Sequence, residues 1–190
     1  GSGYCWGFNG QGELGDGTTT DRLVATQVST GATFKALTSG GDYFTCGLTP
    51  SGAASCWGTN TFGQLGDGSR ITRLSPVAVP QHAFTVITAG RWHACGLEST
   101  GTAYCWGYNG TGQTNVPVGV SNVIAIAAGY KHGLALQNEG ALVTWGGNDY
   151  DQLSVPPGIT NIVSIVAGSW NSLALTADNR VIVWGRTDVG

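Results

Sequence analysis

Trp57-Gly58-Thr59-Asn60-Thr61-Phe62-Gly63-Gln64-Leu65-Gly66-Asp67-Gly68 is the stretch that decides how this chain is read, because its opening pair does not stand alone. Trp-Gly recurs at Trp6-Gly7, Trp106-Gly107, Trp145-Gly146 and Trp184-Gly185, giving spacings of 51, 49, 39 and 39 residues. A second glycine keeps step at Gly41, Gly90, Gly129 and Gly168. Between these markers one grammar repeats. In the 107–145 unit an apolar run, Val123 to Ala128, meets Gly129; His132-Gly133-Leu134-Ala135-Leu136 follows, then a polar turn and Ala141-Leu142-Val143-Thr144-Trp145. Short β-type runs bounded by Gly, Asn and Pro, without a 3.6-residue apolar period, predict an all-β chain with almost no helix. Units of 40 to 50 residues holding about four short strands each read as consecutive propeller blades. The expected units are 7–57, 58–106, 107–145 and 146–184, in a single array spanning 3–190, with Gly1-Ser2 read as a cloning remnant. Five Trp-Gly copies for four full units leave one copy surplus, so the chain is expected to be an open piece of a larger ring. Open sheet edges invite self-association.

The two long units differ from the short ones by an insert. Gly15-Asp16-Gly17-Thr18-Thr19 and Gly66-Asp67-Gly68-Ser69-Arg70 sit where the short units run from Gln113 or Gln152 directly to Val116-Pro117 or Val155-Pro156. A calcium loop needs several spaced acidic ligands ending in Glu, and none follow, so these inserts read as glycine-rich turns. In the fourth unit Asp151 replaces the Gly that precedes Gln152, and a different turn geometry is expected there.

The pattern Trp-Gly-x-Asn-x-x-Gly-Gln-Leu-Gly-Asp-Gly, as written in Trp57 to Gly68, resembles the regulator of chromosome condensation repeat family. The resemblance runs from Tyr4 to Gly185 and implies a β-propeller, in that family usually of seven blades. Shorter units such as Trp106-Gly107-Tyr108-Asn109-Gly110-Thr111-Gly112-Gln113-Thr114 also resemble a secreted bacterial propeller type that inhibits β-lactamases. A fold of this kind hosts unrelated activities, so function has to be argued from residues.

Composition removes several classes. Charged residues make up 10% of the 190, against about 25% in an ordinary soluble domain. The 41% hydrophobic share does not suit a disordered chain. Net charge is −3, with no basic cluster to neutralise phosphates, so no nucleic-acid partner is expected. Apolar runs of about six residues are far short of the roughly 20 that a membrane helix needs, so no membrane insertion is expected.

Cys46 and Cys56 lie ten residues apart across a hairpin turn, and so do Cys95 and Cys105. Directly opposite residues of an antiparallel pair approach within disulfide reach, which predicts the bridges Cys46–Cys56 and Cys95–Cys105. The corresponding positions of the short units hold Leu134 with Thr144 and Leu173 with Val183. Zinc is the rival reading, and it lacks Cys-x-x-Cys spacing and nearby His. Two bridges imply an oxidising compartment, hence an extracellular or cell-surface protein. By the ten-residue rule Cys5 has its partner upstream of Gly1, so it is expected to be unpaired or joined between chains.

No catalytic constellation, metal site or cofactor loop emerges, and the protein is not expected to be an enzyme. His93 and His132 share a repeat position with Phe44 and Asn171, which favours structural rings bonded to backbone at a blade edge. Five Trp belong to the Trp-Gly repeat and read as packing anchors. Trp92 and Trp170 fall in the loop after the repeated Gly, as do Tyr43 and Tyr130, beside the polar Asp42, Arg91, Lys131 and Ser169. Large aromatics at one address, with changing neighbours, suit a binding face of a repeat array. In the β-lactamase inhibitors this address faces the bound enzyme, so the resemblance implies an unidentified protein partner here. Asp42, Arg91 and Lys131 would then set charge preference. Three alternatives stand beside it: a nucleotide-exchange factor for a small GTPase, as the family name implies, a purely architectural or engineered piece, and a light sensor. For the last, the Gly-Trp-Arg-His-Thr loop of a plant ultraviolet photoreceptor with this fold has its nearest versions here in Gly90-Arg91-Trp92-His93-Ala94, in reversed order, and Gly129-Tyr130-Lys131-His132-Gly133, without Trp.

Overall fold

The structure, a computed structural model, describes residues 1–186. The described residues contain fifteen strands and no helix, so none is long enough to cross a membrane. Strands β1 (Tyr4–Gly7) and β2 (Arg22–Gln27) form a two-stranded sheet. Strands β3 (Ala36–Gly40), β4 (Phe44–Leu48), β5 (Ala54–Gly58) and β6 (Arg73–Ala78) form a four-stranded antiparallel sheet in chain order. Three three-stranded sheets follow: β7 (Phe84–Ala89), β8 (His93–Glu98) and β9 (Ala103–Gly107); β10 (Val123–Ala128), β11 (His132–Gln137) and β12 (Leu142–Gly146); and β13 (Ile162–Ala167), β14 (Asn171–Thr176) and β15 (Val181–Gly185). The first strands of successive sheets, β3, β7, β10 and β13, lie side by side, as the innermost strands of propeller blades do.

Four of the five Trp-Gly pairs close the third strand of their sheets, so the sequence period and the hydrogen-bonded blade are out of phase by one strand. The strand after Trp-Gly in the long units, β2 or β6, pairs back onto the preceding sheet. Only the long units carry the insert that supplies it, which is why the blades followed by short units stop at three strands. Pro76 within β6 is tolerated because that strand has a neighbour on one side only.

The core divides into lobes at blade boundaries. Phe44, Leu48, Phe84, Ile87 and Trp106 fill one boundary, Leu97, Val123, Ile126 and Trp145 the next, and Leu134, Leu136, Ile162, Ile165 and Trp184 the third. Four of the five repeat tryptophans are buried: Trp57, Trp106, Trp145 and Trp184. Each indole Nε1 donates to a backbone carbonyl in the loop that follows the preceding Trp-Gly strand, at Glu13, Gln64, Gln113 and Gln152 respectively, over 2.9–3.0 Å. Trp6 departs from the anchoring role and is 65% exposed, because no sheet packs on that side of β1 among the described residues.

Both expected disulfides are present. Cys46 opposes Cys56 and Cys95 opposes Cys105 in the strand registers, with Cα–Cα distances of 4.0 Å. Leu134 opposes Thr144 and Leu173 opposes Val183 at the same address, so the cross-strand pair exists with or without sulfur. Cys5 is free and half-buried. Reduction is expected to cost on the order of 2–3 kcal/mol per bridge, from loops of about ten residues. Urea unfolding of oxidised against reduced protein measures it, and equal midpoints would contradict it.

Asp151 does not change the turn it enters. Its φ of 60° falls in the left-handed region that Gly12, Gly63 and Gly112 occupy, at φ 80–81°. Asp enters that region at modest cost because its short side chain bonds locally. The turn is templated by side chains: Gln152 Oε1 accepts from Tyr150 N and Asn148 Oδ1 from Leu153 N, as Gln64 and Asn60 do from Phe62 N and Leu65 N. Asp16 and Asp67 are used within their own inserts. Asp67 accepts from Asn60, Ser69 and Arg73, and Asp16 from Asn9, Thr18 and Arg22. Burial alone would raise the Asp16 carboxyl, but the Thr18, Arg22 and Asn9 donors together bring it down to about 2.

Candidate functional site

The loops after the repeated glycine are tight turns between the first and second strands of each blade: 41–43, 90–92, 129–131 and 168–170. The last carbonyl of each turn accepts a backbone N–H from the loop that follows the third strand. The pairs are Tyr43 O with Thr59 N, Trp92 O with Tyr108 N, Lys131 O with Gly147 N, and Trp170 O with Arg186 N, at 2.8–3.0 Å. This bonding corrects the expected alignment. Lys131 occupies the address of Tyr43, Trp92 and Trp170, while Tyr130 stands at that of Asp42, Arg91 and Ser169. Tyr43 holds its place in a left-handed conformation, φ 59°.

The structure brings Trp92, Tyr130 and Trp170 into a continuous belt with Phe62, Tyr108 and Tyr150, and sets Tyr43 in a separate pair with Phe8. Phe62, Tyr108, Tyr150 and Phe8 are aromatics that sequence reasoning missed. Phe8 packs on Tyr43, with centroids 5.6 Å apart. Phe62, Trp92 and Tyr108 form a triangle with sides of 4.8–5.6 Å. Trp92 continues to Tyr130 at 5.8 Å, Tyr130 to Trp170 at 4.4 Å, and Trp170 to Tyr150 at 5.2 Å. Phe8 and Tyr108 lie two residues after a repeat Trp, and Phe62 and Tyr150 five after. An aromatic at either offset was the available signal, obscured because the two offsets alternate.

The charges of the belt are already matched. Arg91 Nε lies 2.9 Å from Asp42 Oδ2, which also accepts from Trp92 Nε1. The Arg91 guanidinium lies over both the Trp92 and the Tyr130 rings, at 4.0 and 4.1 Å from their centroids. Lys131 Nζ sits 3.3 Å from Asp149 and 5.4 Å from the Trp170 centroid. So Asp42, Arg91 and Lys131 serve to lock rings in place across blade boundaries, rather than stand as free charges. Ser169 is exposed at the same end. Inside the belt a shallow opening of about 270 Å³ is lined by Gly41, the Ala-Gly pairs at 89–90, 128–129 and 167–168, Arg91, Tyr130 and Ser169.

The two repeat-position histidines lie beneath this end, both fully buried. They are not at a blade edge as expected, although backbone of the next blade does bear on both rings, at His132 for His93 and at Asn171 for His132. His132 Nε2 is 3.1 Å from the Ser172 hydroxyl of the next blade, which itself donates to Gln152 O. Packing against the neighbouring blade, rather than solvent at an edge, sets their surroundings. Burial lowers both to a pKa of about 4, His93 further through the neighbouring His132, against smaller opposing pulls from adjacent backbone. Among the described residues no three His, Cys, Asp or Glu gather as a metal would need.

A family model for the regulator of chromosome condensation repeat matches residues 36–64, 84–113, 123–152 and 162–190, more than half of the chain. A second model of the same description matches 51–97. The chain belongs to the regulator of chromosome condensation repeat family. The ultraviolet-B receptor UVR8 of Arabidopsis thaliana is 36% identical over 77 residues, 40% of this chain and 18% of that receptor. Prp20p of Saccharomyces cerevisiae superposes with a TM-score of 0.81 at 23% identity, over 96% of this chain and 53% of Prp20p. The ectodomain of the receptor kinase CR4 from Physcomitrella patens superposes with a TM-score of 0.70 at 26% identity, over 88% of this chain and 45% of that one. This family member thus spans about half the length of the solved structures it matches and under a fifth of the receptor. The blades place family repeats in register with the sheets: each of the four matches opens on a first strand and ends beyond the Trp-Gly pair.

Proposed function

We propose that this chain is an extracellular, non-enzymatic module that binds a protein partner through the aromatic belt at the turn end of its blades. The observation that carries the reading is the belt itself. Rings from four blades meet in one surface, and their cations are neutralised internally. Such a face presents rigid, amphipathic contact area at small entropic cost, the kind that dominates protein hot spots. Tyr43 supports it, since a bulky residue held at φ 59° is a strain that functional surfaces tolerate. The two disulfides support an oxidising compartment, and the CR4 ectodomain is a relative from the outside of a cell. Prp20p is described by its binding to Gsp1p and histones, and protein binding is what this reading takes over from it.

The test is capture of partners from extracellular protein, followed by affinity measurement with Trp92→Ala and Trp170→Ala. Each substitution is expected to weaken binding by about 2 kcal/mol or more while the melting temperature holds. A sharp drop in melting temperature with binding spared would make the rings packing elements and overturn the assignment.

A further inference from the structure

We propose that Asn109 is a self-modifying site: attack by the Gly110 backbone nitrogen converts its side-chain amide to aspartate or isoaspartate, and the change reaches the belt through Tyr108. Asn-Gly occurs twice in the chain, at Asn9-Gly10 and Asn109-Gly110, at one repeat address where the other units have Asn60-Thr61 and Asn148-Asp149. Packing imposes the glycine. A Cβ at position 110 would collide with the Tyr108 ring, and one at position 10 with the Phe8 ring. Where the residue two after the repeat Trp is small, as at Thr59 and Gly147, a side chain follows at Thr61 and Asp149. An aromatic at that offset therefore brings with it a glycine, whose nitrogen no side chain shields. The two Asn-Gly copies differ in what covers the asparagine. Asn9 is fully buried. Its Nδ2 donates to Asp16 Oδ1, to Thr18 O and Oγ1 and to Thr20 O, and its backbone N donates to Asp21 Oδ1, all from the insert of the long unit and the residues just after it. The short unit lacks that insert, so Asn109 is exposed and its Nδ2 has a single partner, the exposed Asn115 Oδ1 at 2.8 Å. Asn109 Oδ1 accepts from Thr114 N at 3.0 Å, also at the surface. Exposed bonds of this kind open locally at small cost. Gly110 N has no acceptor among the described residues to hold it back.

The reaction needs only water. The Gly110 nitrogen bonds to Asn109 Cγ and closes a cyclic imide; the Cγ–Nδ2 bond breaks, and ammonia leaves with the Gly110 amide proton. Water then adds to one of the two imide carbonyls. Cleavage of the Cγ–N bond leaves an aspartate, and cleavage of the backbone C–N bond leaves isoaspartate, whose main chain runs through Cβ and Cγ. Either product loses the donation to Asn115 and gains a carboxylate. The lengthened chain of isoaspartate also separates Gly110 from the Tyr108 ring that rests on it, and so loosens the triangle of Tyr108, Phe62 and Trp92. The site rests on Asn109 and Gly110 alone, so it stands or falls separately from the partner-binding reading.

The experiment incubates the full oxidised chain at mildly alkaline pH, where the attacking nitrogen loses its proton more readily, and follows each asparagine by peptide mapping with mass spectrometry. Conversion at Asn109 is expected to run about tenfold or more ahead of Asn9. In concentrated urea the two rates should converge, because the dipeptide is the same and only the fold separates them. Tyr108→Thr combined with Gly110→Thr, which transplants the Thr59 and Thr61 pattern, should slow conversion at Asn109 about tenfold or more. Converted protein, separated by charge, should show a shifted Trp92 indole N–H by NMR and an unshifted Trp184. Equal rates at Asn9 and Asn109 in the folded chain, a rate gap that persists in urea, or conversion of Asn109 only after unfolding would each overturn the proposal. An unchanged Trp92 resonance in the converted protein would overturn its link to the belt.

Discussion

Replacing Trp57 with Ala is expected to lower unfolding stability by about 3–5 kcal/mol, the range for deleting a fully buried aromatic side chain. Trp57 has no exposed surface, packs 5.9 Å from the Phe34 ring and donates to Glu13 O across the boundary between the two-stranded sheet and the first full blade. Removing it opens a cavity and takes away one of the two donors to Glu13 O, with Thr45 Oγ1 remaining at 2.8 Å, so the cavity dominates the cost. Against a total stability of about 5–15 kcal/mol, this brings the protein close to unfolding at ordinary temperatures. Trp57→Phe retains most of the ring but not the N–H, so it should fall between. Trp6→Ala is the internal control: same repeat position, 65% exposed, and an expected change within about 0.5 kcal/mol. Urea midpoints for the three variants decide the matter. Similar losses at Trp57 and Trp6 would mean that blade boundaries contribute little to stability.

Acidification is expected to destabilise the fold in two successive windows. His93 and His132 have pKa values lowered to about 4 in the folded state, from an ordinary 6.5. Between those values the unfolded chain binds protons that the native rings refuse, so stability rises with pH there. The contribution is therefore complete above about pH 6.5 and is lost as pH falls toward 4, on the order of 3 kcal/mol for each ring. Asp16, lowered to about 2, contributes above its ordinary 3.8 and is lost only below that. Stability measured by urea unfolding from pH 7.5 to 4.5 should thus fall well before Asp16 titrates. His132→Asn, the residue that the fourth blade carries at this address, should flatten that first window by about half. A profile level down to pH 4.5, or NMR titration of both rings near 6.5, would contradict the burial argument.

How much could be read in advance depended on how far apart the interacting residues lie in the chain. The repeat, the strand positions and both disulfides were legible in the sequence alone, because a hairpin joins residues ten apart and a two-residue strand period fixes which ones face each other. The buried Trp-Gly anchors followed from recurrence in the same way. What the tertiary structure alone decided are contacts between blades. Asp42 meets Arg91 and Trp92 across 49 and 50 residues, Trp57 meets Glu13 across 44, and His132 meets Ser172 across 40. No local pattern marks such pairs, since each residue belongs to an ordinary turn or strand of its own unit. The neutralised charges of the belt, the additional aromatics Phe62, Tyr108 and Tyr150 within it, and the exposure of Trp6 all arise only when one blade is, or is not, set against the next. Local chain geometry writes the blade into the sequence. The packing of one blade on another, which acts through space over 40 to 50 residues, chooses which side chains are anchors and which remain exposed.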